Sequence, residues 1–278
     1  MTAPYAEVIG DPISHSKSPV IHQFWLRQLG IEGRYGSRRV TPAGLRTYFH
    51  VRGNDGAWMG CNVTIPLKEH VGSHLDRLSE RARRVGAVNC VHRDGRFLVG
   101  TNTDVAGVAL AIAGAAADRP ACVIGAGGAA RAALTALRER GHGDVRIVAR
   151  DPAKGRALLD LWGYDGAAVA IGDAASAFSE AGVVINASPL GMAGLAPMPL
   201  PVQQAIEGTA EGAVIFDMVY NPIDTALLAA ARRRGRIAVD GLVMLVGQAR
   251  EAFELFFGYS SPRDTASDAA LRSLLTGG

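Results

Sequence analysis

Two short stretches carry residue types that could do chemistry. In NVTIPLKEH, residues 62–70, Lys68 stands two residues past Pro66, just beyond an apolar run that ends at Ile65. A lysine there is either a solvated residue near a helix start or a proton donor held at the edge of a site. Hydride delivered to a ketone carbon leaves negative charge on its oxygen, and a nearby ammonium both stabilises that charge and can donate the proton. The second stretch is GAGGAA, residues 125–130, which follows the apolar run ACVIG and opens the pattern AARAALTALRERG. A G-x-G-x-x-G/A signature between a strand and a helix is a dinucleotide-binding turn. Gly125 permits the tight turn, Gly127 lets the backbone approach a pyrophosphate, and Ala130 keeps the helix close to the strand. The first-turn N–H groups around Ala126, Gly128 and Ala129 then point at the anion.

The strand after this turn decides which dinucleotide is bound. In an NAD site a carboxylate usually ends that strand, about 20 residues after the glycines. Here the strand reads VRIVAR and ends on Ala149 and Arg150, with Lys154 one helical turn later. Two cations suit a 2′-phosphate, hence NADP, with NAD as the weaker alternative. Asp151 works against this, but an Asp before Pro152 is already explained as the N-cap of the next helix.

The elements that must position these residues fall into two textures. Residues 5–101 alternate β-like runs (YAEVIG, RYGSRRV, AWMGCNVTI, AVNCVH, RFLVG) with helical patterns such as SPVIHQFWLRQLG. In that helix Val20, Ile21, Phe24, Trp25 and Leu29 share a face, Pro19 suits the first turn, and Gly30 suits the end. From about 103 to 239 the pattern is a regular βαβ alternation. Its strands are ACVIG, VRIVAR, GVVINAS, AVIFDMV and RIAVD. Strands that are apolar on both faces and separated by helices predict a parallel sheet covered on two sides. PLGMAGLAPMPLP, 189–201, reads as a loop long enough to move. The helical stretch 241–257 has a broad apolar face and no further βαβ signal, and is expected to return to the first domain.

Composition narrows the classes. With 278 residues and 48% hydrophobic content the chain can bury two modest cores. A formal charge of +3 is small for this length. The densest basic run, ARRRGR at 231–236, lacks interleaved aromatics and reads as a solvated helix end, so nucleic acid is not expected as a partner. Cys61, Cys90 and Cys122 sit in apolar runs without metal-type spacing, so no metal is expected and the thiols read as core residues of a reducing compartment. No apolar window approaches the roughly 18–20 residues of a membrane span, and the N-terminus lacks a leader pattern, so a cytoplasmic location is expected.

GDPISHSKSP (10–19), NVTIPLKEH, GAVN (86–89), GTNTD (100–104), GAGGAA, NASPLGM (186–192), DMVYNP (217–222) and DGLVMLVGQA (240–249), in this order and spacing, resemble the shikimate dehydrogenase family over residues 5–257. The resemblance implies reversible reduction of 3-dehydroshikimate to shikimate by NADPH in aromatic amino-acid biosynthesis. It matches Lys68 to the family's catalytic lysine and Asp104 to its acidic partner, which answers the question raised by Lys68. It matches Ser16 and Ser18 to the pair gripping the substrate carboxylate, although Ser18 before Pro19 also reads as a helix N-cap. Asn62, Thr64, Asn89 and Gln248 match positions that hydrogen-bond the ring hydroxyls, and Tyr220 matches one near the carboxylate. Asn186, Ser188, Met192, Met218 and Gly241 match the surroundings of the nicotinamide and ribose. His15 and Lys17 read as surface residues. Three positions depart from the family: Ala149, Asp151 and Val105. The first two bear on cofactor choice.

The resulting expectation is a two-domain α/β enzyme. A substrate-binding and catalytic domain spans 1–102 plus 240–278, and a Rossmann-like parallel-sheet dinucleotide-binding domain spans 103–239, with the substrate in the cleft and hinge closure over it. A homodimer is compatible with this reading. Two alternatives stand beside it: a relative that prefers quinate or uses both acids and both dinucleotides, and a non-catalytic reader of NADP redox state. The intact Lys68 and Asp104 argue against the second.

Overall fold

The computed structural model describes residues 3–277, which divide into two units, Met1–Thr103 with Gln248–Gly278 and Asp104–Gly247. The second division falls seven residues inside a continuous helix that starts at Gly241, rather than ahead of that helix near residue 240.

In the first unit the chain runs β1 (Tyr5–Gly10), α1 (Ser18–Gln28), β2 (Arg34–Arg39), α2 (Leu45–Gly53), β3 (Trp58–Val63), β4 (Arg77–Leu78), α3 (Glu80–Val85), β5 (Cys90–Asp94) and β6 (Phe97–Thr101). The strands form one mixed sheet in the order β2-β1-β3-β5-β6-β4, with β1 parallel to β2 and β3, and β5 antiparallel to β3 and β6. Side chains alternate between the two faces of a strand. Ile9, Cys61 and Val63 accordingly join Leu45, Tyr48 and Phe49 of α2 in one core cluster. The side chains alternating with them in register, Tyr35 on β2, Ala6 and Val8 on β1 and Asn62 on β3, share the opposite face. There His22 and Trp25 of α1 meet Phe253 and Phe256. Gly60 makes that approach feasible, since a Cβ there would stand 2.6 Å from Phe256 Cε1. Glu7 on β1 is buried at 5% exposure, and it accepts from Tyr48 Oη at 3.0 Å and Arg52 Nε at 2.7 Å. A buried carboxylate needs such partners, because an unpaired one would be far more costly.

The second unit opens with α4 (Asp104–Ala111) and continues as β7 (Ala121–Ile124), α5 (Gly128–Glu139), β8 (Val145–Ala149), α6 (Pro152–Trp162), β9 (Ala168–Ala170), α7 (Ala174–Phe178), β10 (Val183–Asn186), α8 (Leu200–Ala205), β11 (Val214–Asp217), α9 (Ala226–Arg233) and β12 (Ile237–Val239). Its sheet is parallel throughout, in the order β12-β11-β10-β7-β8-β9. The four-residue runs of β7, β10 and β11 are buried at every position, as strands covered on both faces must be. The basic run closes α9, with Arg232 paired to Asp224 and Arg234 to Glu207 at 3.0 Å. α10 (Gly241–Phe257) follows, and then α11 (Thr265–Thr276), whose N-cap Asp264 accepts from Ser267 N at 2.9 Å.

Candidate active site

In the first unit the polar residues singled out in the sequence converge through a chain of hydrogen bonds. Asn62, one residue before the end of β3, lies on the face of the sheet shared with Tyr35, and its Oδ1 accepts from the Tyr35 hydroxyl at 2.6 Å. Its Nδ2 donates to the Asn89 carbonyl at 3.3 Å, and that same carbonyl accepts from Val63 N at 2.8 Å. The Asn89 side chain donates to Thr103 Oγ1 at 3.0 Å and accepts from Thr103 N at 2.6 Å, and Thr103 Oγ1 donates to Gln248 Oε1 at 3.4 Å. Asn62, Asn89, Thr103 and Gln248 are all buried, so their amide orientations are set before any ligand arrives. Buried polar groups left over from such a network make a site selective, because a ligand that cannot satisfy them leaves them unpaired.

Lys68 follows β3 on a turn held by Leu67, whose side chain is fully buried and whose N–H donates to Thr64 O at 2.9 Å. The Lys68 carbonyl accepts from Val88 N at 2.8 Å, leaving a half-buried side chain on a fixed backbone. Thr64 is half-buried beside Gly10, where a Cβ would stand 2.5 Å from Thr64 Cγ2.

Ser18 is not the N-cap of α1. The helix begins at Ser18 itself, Lys17 holds the cap position without a side-chain bond, and Ser16 Oγ accepts from Ser18 N at 3.3 Å. The Ser18 side chain is buried. His15 and Lys17 are exposed.

In the second unit Asp104 is the first residue of α4 and half-buried. The glycine-rich turn lies where the order of the sheet reverses, between β7 and β10, the position at which open parallel sheets bind ligands. Gly125 takes φ +107 and approaches the end of β10, so that a Cβ would stand 3.1 Å from Ala187 O. A Cβ at Gly127 or Gly128 would meet nothing within 4 Å, and α5 starts without a side-chain cap. Gly127, Gly128 and Ala129 are exposed, so the start of α5 is accessible to an anion such as a pyrophosphate. At the end of β8, Arg150 and Lys154 are exposed. Asp151 turns its carboxylate to the backbone, where Oδ1 accepts from Ala153 N at 3.1 Å as the N-cap of α6. The residues present fit a dinucleotide with a 2′-phosphate: the turn for its pyrophosphate, and Arg150 and Lys154 for the extra charge.

Asn186 does not line an open wall. It is fully buried, and its amide donates to Asp217 Oδ1 at 2.8 Å and Leu190 O at 3.1 Å while Oδ1 accepts from Ser188 Oγ at 2.6 Å. Asp217 in turn accepts from Thr225 Oγ1 at 2.7 Å and Val219 N at 3.0 Å. Burial raises the Asp217 carboxyl above its ordinary value, against the opposing pull of those hydrogen bonds. This clasp ties the chain after β10 to the chain after β11, and so positions Ser188, Met218 and their neighbours. Gly241 packs on the same segment, where a Cβ would stand 2.5 Å from Met218 O. Met192 and Tyr220 are each 39% exposed.

Comparison with known proteins decides the family. Over 276 residues the chain is 45% identical to the shikimate dehydrogenase (NADP(+)) of Sphingopyxis alaskensis, covering 98% of this chain and 97% of that protein. The chain belongs to the shikimate dehydrogenase family. Residues 8–91 match the family's "Shikimate dehydrogenase substrate binding domain". The shikimate dehydrogenase (NADP(+)) of Methylobacterium radiotolerans is 44% identical over 273 residues, 93% of each chain. Among solved structures, shikimate 5-dehydrogenase from Thermus thermophilus in complex with NADP(H) and shikimate matches with a TM-score of 0.81 and 35% identity, covering 97% of this chain and 98% of that one. The Listeria monocytogenes enzyme in complex with shikimate and NAD matches with a TM-score of 0.86 and 26% identity, covering 98% and 96%.

Two members of the polar network escape a reading by motif. Thr103 lies inside GTNTD but carries no signal separating it from a helix-entry residue. Tyr35 is the one buried side chain of an otherwise exposed strand, RYGSRR. A lone aromatic in an arginine-rich strand is the available clue. Among the described residues no group of three or more His, Cys, Asp or Glu is arranged to hold a metal ion, and no helix is long and apolar enough to cross a membrane.

Proposed function

We propose that the protein catalyses the reversible, NADP-dependent interconversion of 3-dehydroshikimate and shikimate in aromatic amino-acid biosynthesis. The observation that carries this reading is the near full-length identity to NADP-dependent shikimate dehydrogenases, in a chain that also presents an uncapped glycine-rich turn followed by two exposed cations. NADPH supplies the hydride. Lys68 donates the proton to the carbonyl oxygen as charge builds there, and Asp104 is the carboxylate that meets the neighbouring hydroxyl. Ser16 and Ser18 bind the carboxylate with neutral donors, with Tyr220 alongside. Asn62, Thr64, Asn89 and Gln248 read the ring hydroxyls. Gly125–Ala130 hold the pyrophosphate, Arg150 and Lys154 the 2′-phosphate, and Ser188, Met192, Met218 and Gly241 the nicotinamide end. Three free, buried thiols fit a reducing compartment, which supports a cytoplasmic enzyme.

The test is an absorbance assay of the purified protein that crosses shikimate and quinate with NADP and NAD. Turnover is expected to be fastest with shikimate and NADP. Absence of shikimate turnover overturns the reading, and equal use of quinate reassigns the substrate.

A further inference from the structure

We propose that Tyr35 is a positioning residue for substrate binding: its buried hydroxyl locks the Asn62 amide so that an N–H is the group offered to the ligand. The inference rests on the activity proposed above.

An asparagine amide presents an acceptor on one side and two donor hydrogens on the other, and only its partners decide which way it faces. At Asn62 both sides are decided. The Asn89 carbonyl can only accept, so the atom facing it at 3.3 Å must be Nδ2. Flipping the amide would set two carbonyl oxygens against each other. Oδ1 then takes the Tyr35 proton at 2.6 Å. One N–H of Asn62 remains after these bonds are made, and it is directed by them. The phenol has a single proton, and its bond to Asn62 Oδ1 uses it.

The ring itself is immobilised from behind. His22 stacks on Tyr35 with centroids 4.0 Å apart and planes 3° from parallel, and Phe256 flanks both rings. His22 is fully buried, and neither ring nitrogen has a hydrogen-bond partner among the described residues. Burial keeps it neutral, so it serves as a flat spacer rather than a titrating group. A histidine is a costly choice for such a place unless the position of the ring against it matters.

Tyr35→Phe removes one oxygen and keeps the stack. Initial rates with shikimate and with NADP, together with the melting temperature, are measured for wild type, Tyr35→Phe, Asn62→Ala and the double variant. The KM for shikimate is expected to rise about tenfold in Tyr35→Phe, as for one lost buried hydrogen bond. The kcat should stay within about twofold and the KM for NADP should not move, the pattern of an interaction made equally in the ground and transition states. Because Tyr35 acts through Asn62, adding Tyr35→Phe to Asn62→Ala should change the shikimate KM by less than about twofold. An unchanged shikimate KM with only a lowered melting temperature overturns the inference and makes Tyr35 a structural residue. So does an undiminished tenfold effect in the Asn62→Ala background. A wild type that turns over no shikimate overturns the activity itself and this inference with it.

Discussion

On the function proposed above, the cofactor preference turns on two neighbouring side chains with opposite charge, Arg150 and Asp151. Arg150 is exposed at the end of β8, and among the described residues it has no ion-pair partner, so Arg150→Ala should leave the melting temperature unchanged. A guanidinium bonded to a phosphate contributes about 1.5–3 kcal/mol, which converts to roughly a 10- to 150-fold loss of NADP affinity. NAD has a hydroxyl at that place and should lose little. Asp151 behaves in the reverse way. Its carboxylate caps α6 at 3.1 Å from Ala153 N, and loss of an N-cap costs about 1 kcal/mol, or roughly 2–4 °C in a chain of this size. Asp151→Ala should therefore melt earlier while binding NADP at least as well, because a negative charge near the 2′-phosphate has been removed. Fluorescence titration of both variants with NADP and NAD, alongside thermal melts, reads both affinities and both stabilities. The reasoning fails if Arg150→Ala weakens NAD as much as NADP, or if Asp151→Ala abolishes dinucleotide binding at an unchanged melting temperature.

Other outcomes follow from the same geometry. Lys68→Met, which keeps the apolar stem, should lower turnover by about a hundredfold or more with NADPH affinity intact; near-normal turnover in a folded variant would remove Lys68 from the chemistry. Ser16→Ala should raise the shikimate KM more than it lowers kcat, with a loss of about 1.5–3 kcal/mol, checked by steady-state kinetics against an unchanged KM for NADP. His22, which burial pushes down to about 3 from 6.5, is neutral in the folded chain and protonated in the unfolded one over that interval. Its contribution is present in full above pH 6.5 and is lost as pH falls, by about 2 kcal/mol at pH 5. Denaturant titrations across pH should give that slope in wild type and its absence in His22→Leu.

What the sequence made legible was local. The glycine-rich turn, the Asp-Pro cap of α6, the alternating strands and the basic end of α9 depend on neighbours within a few residues, and spacing alone carries them. Ser18 reads as a cap in the sequence because it precedes Pro19, whereas the helix boundary falls one residue earlier, with Lys17 at the cap position. Asn186 reads as a lining residue in NASPLGM, yet its partner Asp217 sits 31 positions away and draws the side chain inward. Tyr35 and Asn62 are separated by 27 residues, and Thr103 and Gln248 by 145. No periodicity reports a hydrogen bond across such distances. The two-residue strand β4 is too short to show an alternation at all.

The three cysteines have a use unrelated to the reaction. Cys61 and Cys90 lie in strands of the first unit and Cys122 in a strand of the second, all without exposed surface, and burial raises each thiol far above its ordinary value. A thiolate is the reactive form, so the folded protein should be close to inert towards alkylating reagents. Each sulfur can be labelled only when its own strand opens. A pulse of iodoacetamide during unfolding, followed by peptide mass spectrometry, would time the opening of one unit through Cys61 and Cys90 and of the other through Cys122. The wild-type chain thus carries its own pair of stopwatches, with no engineered probe.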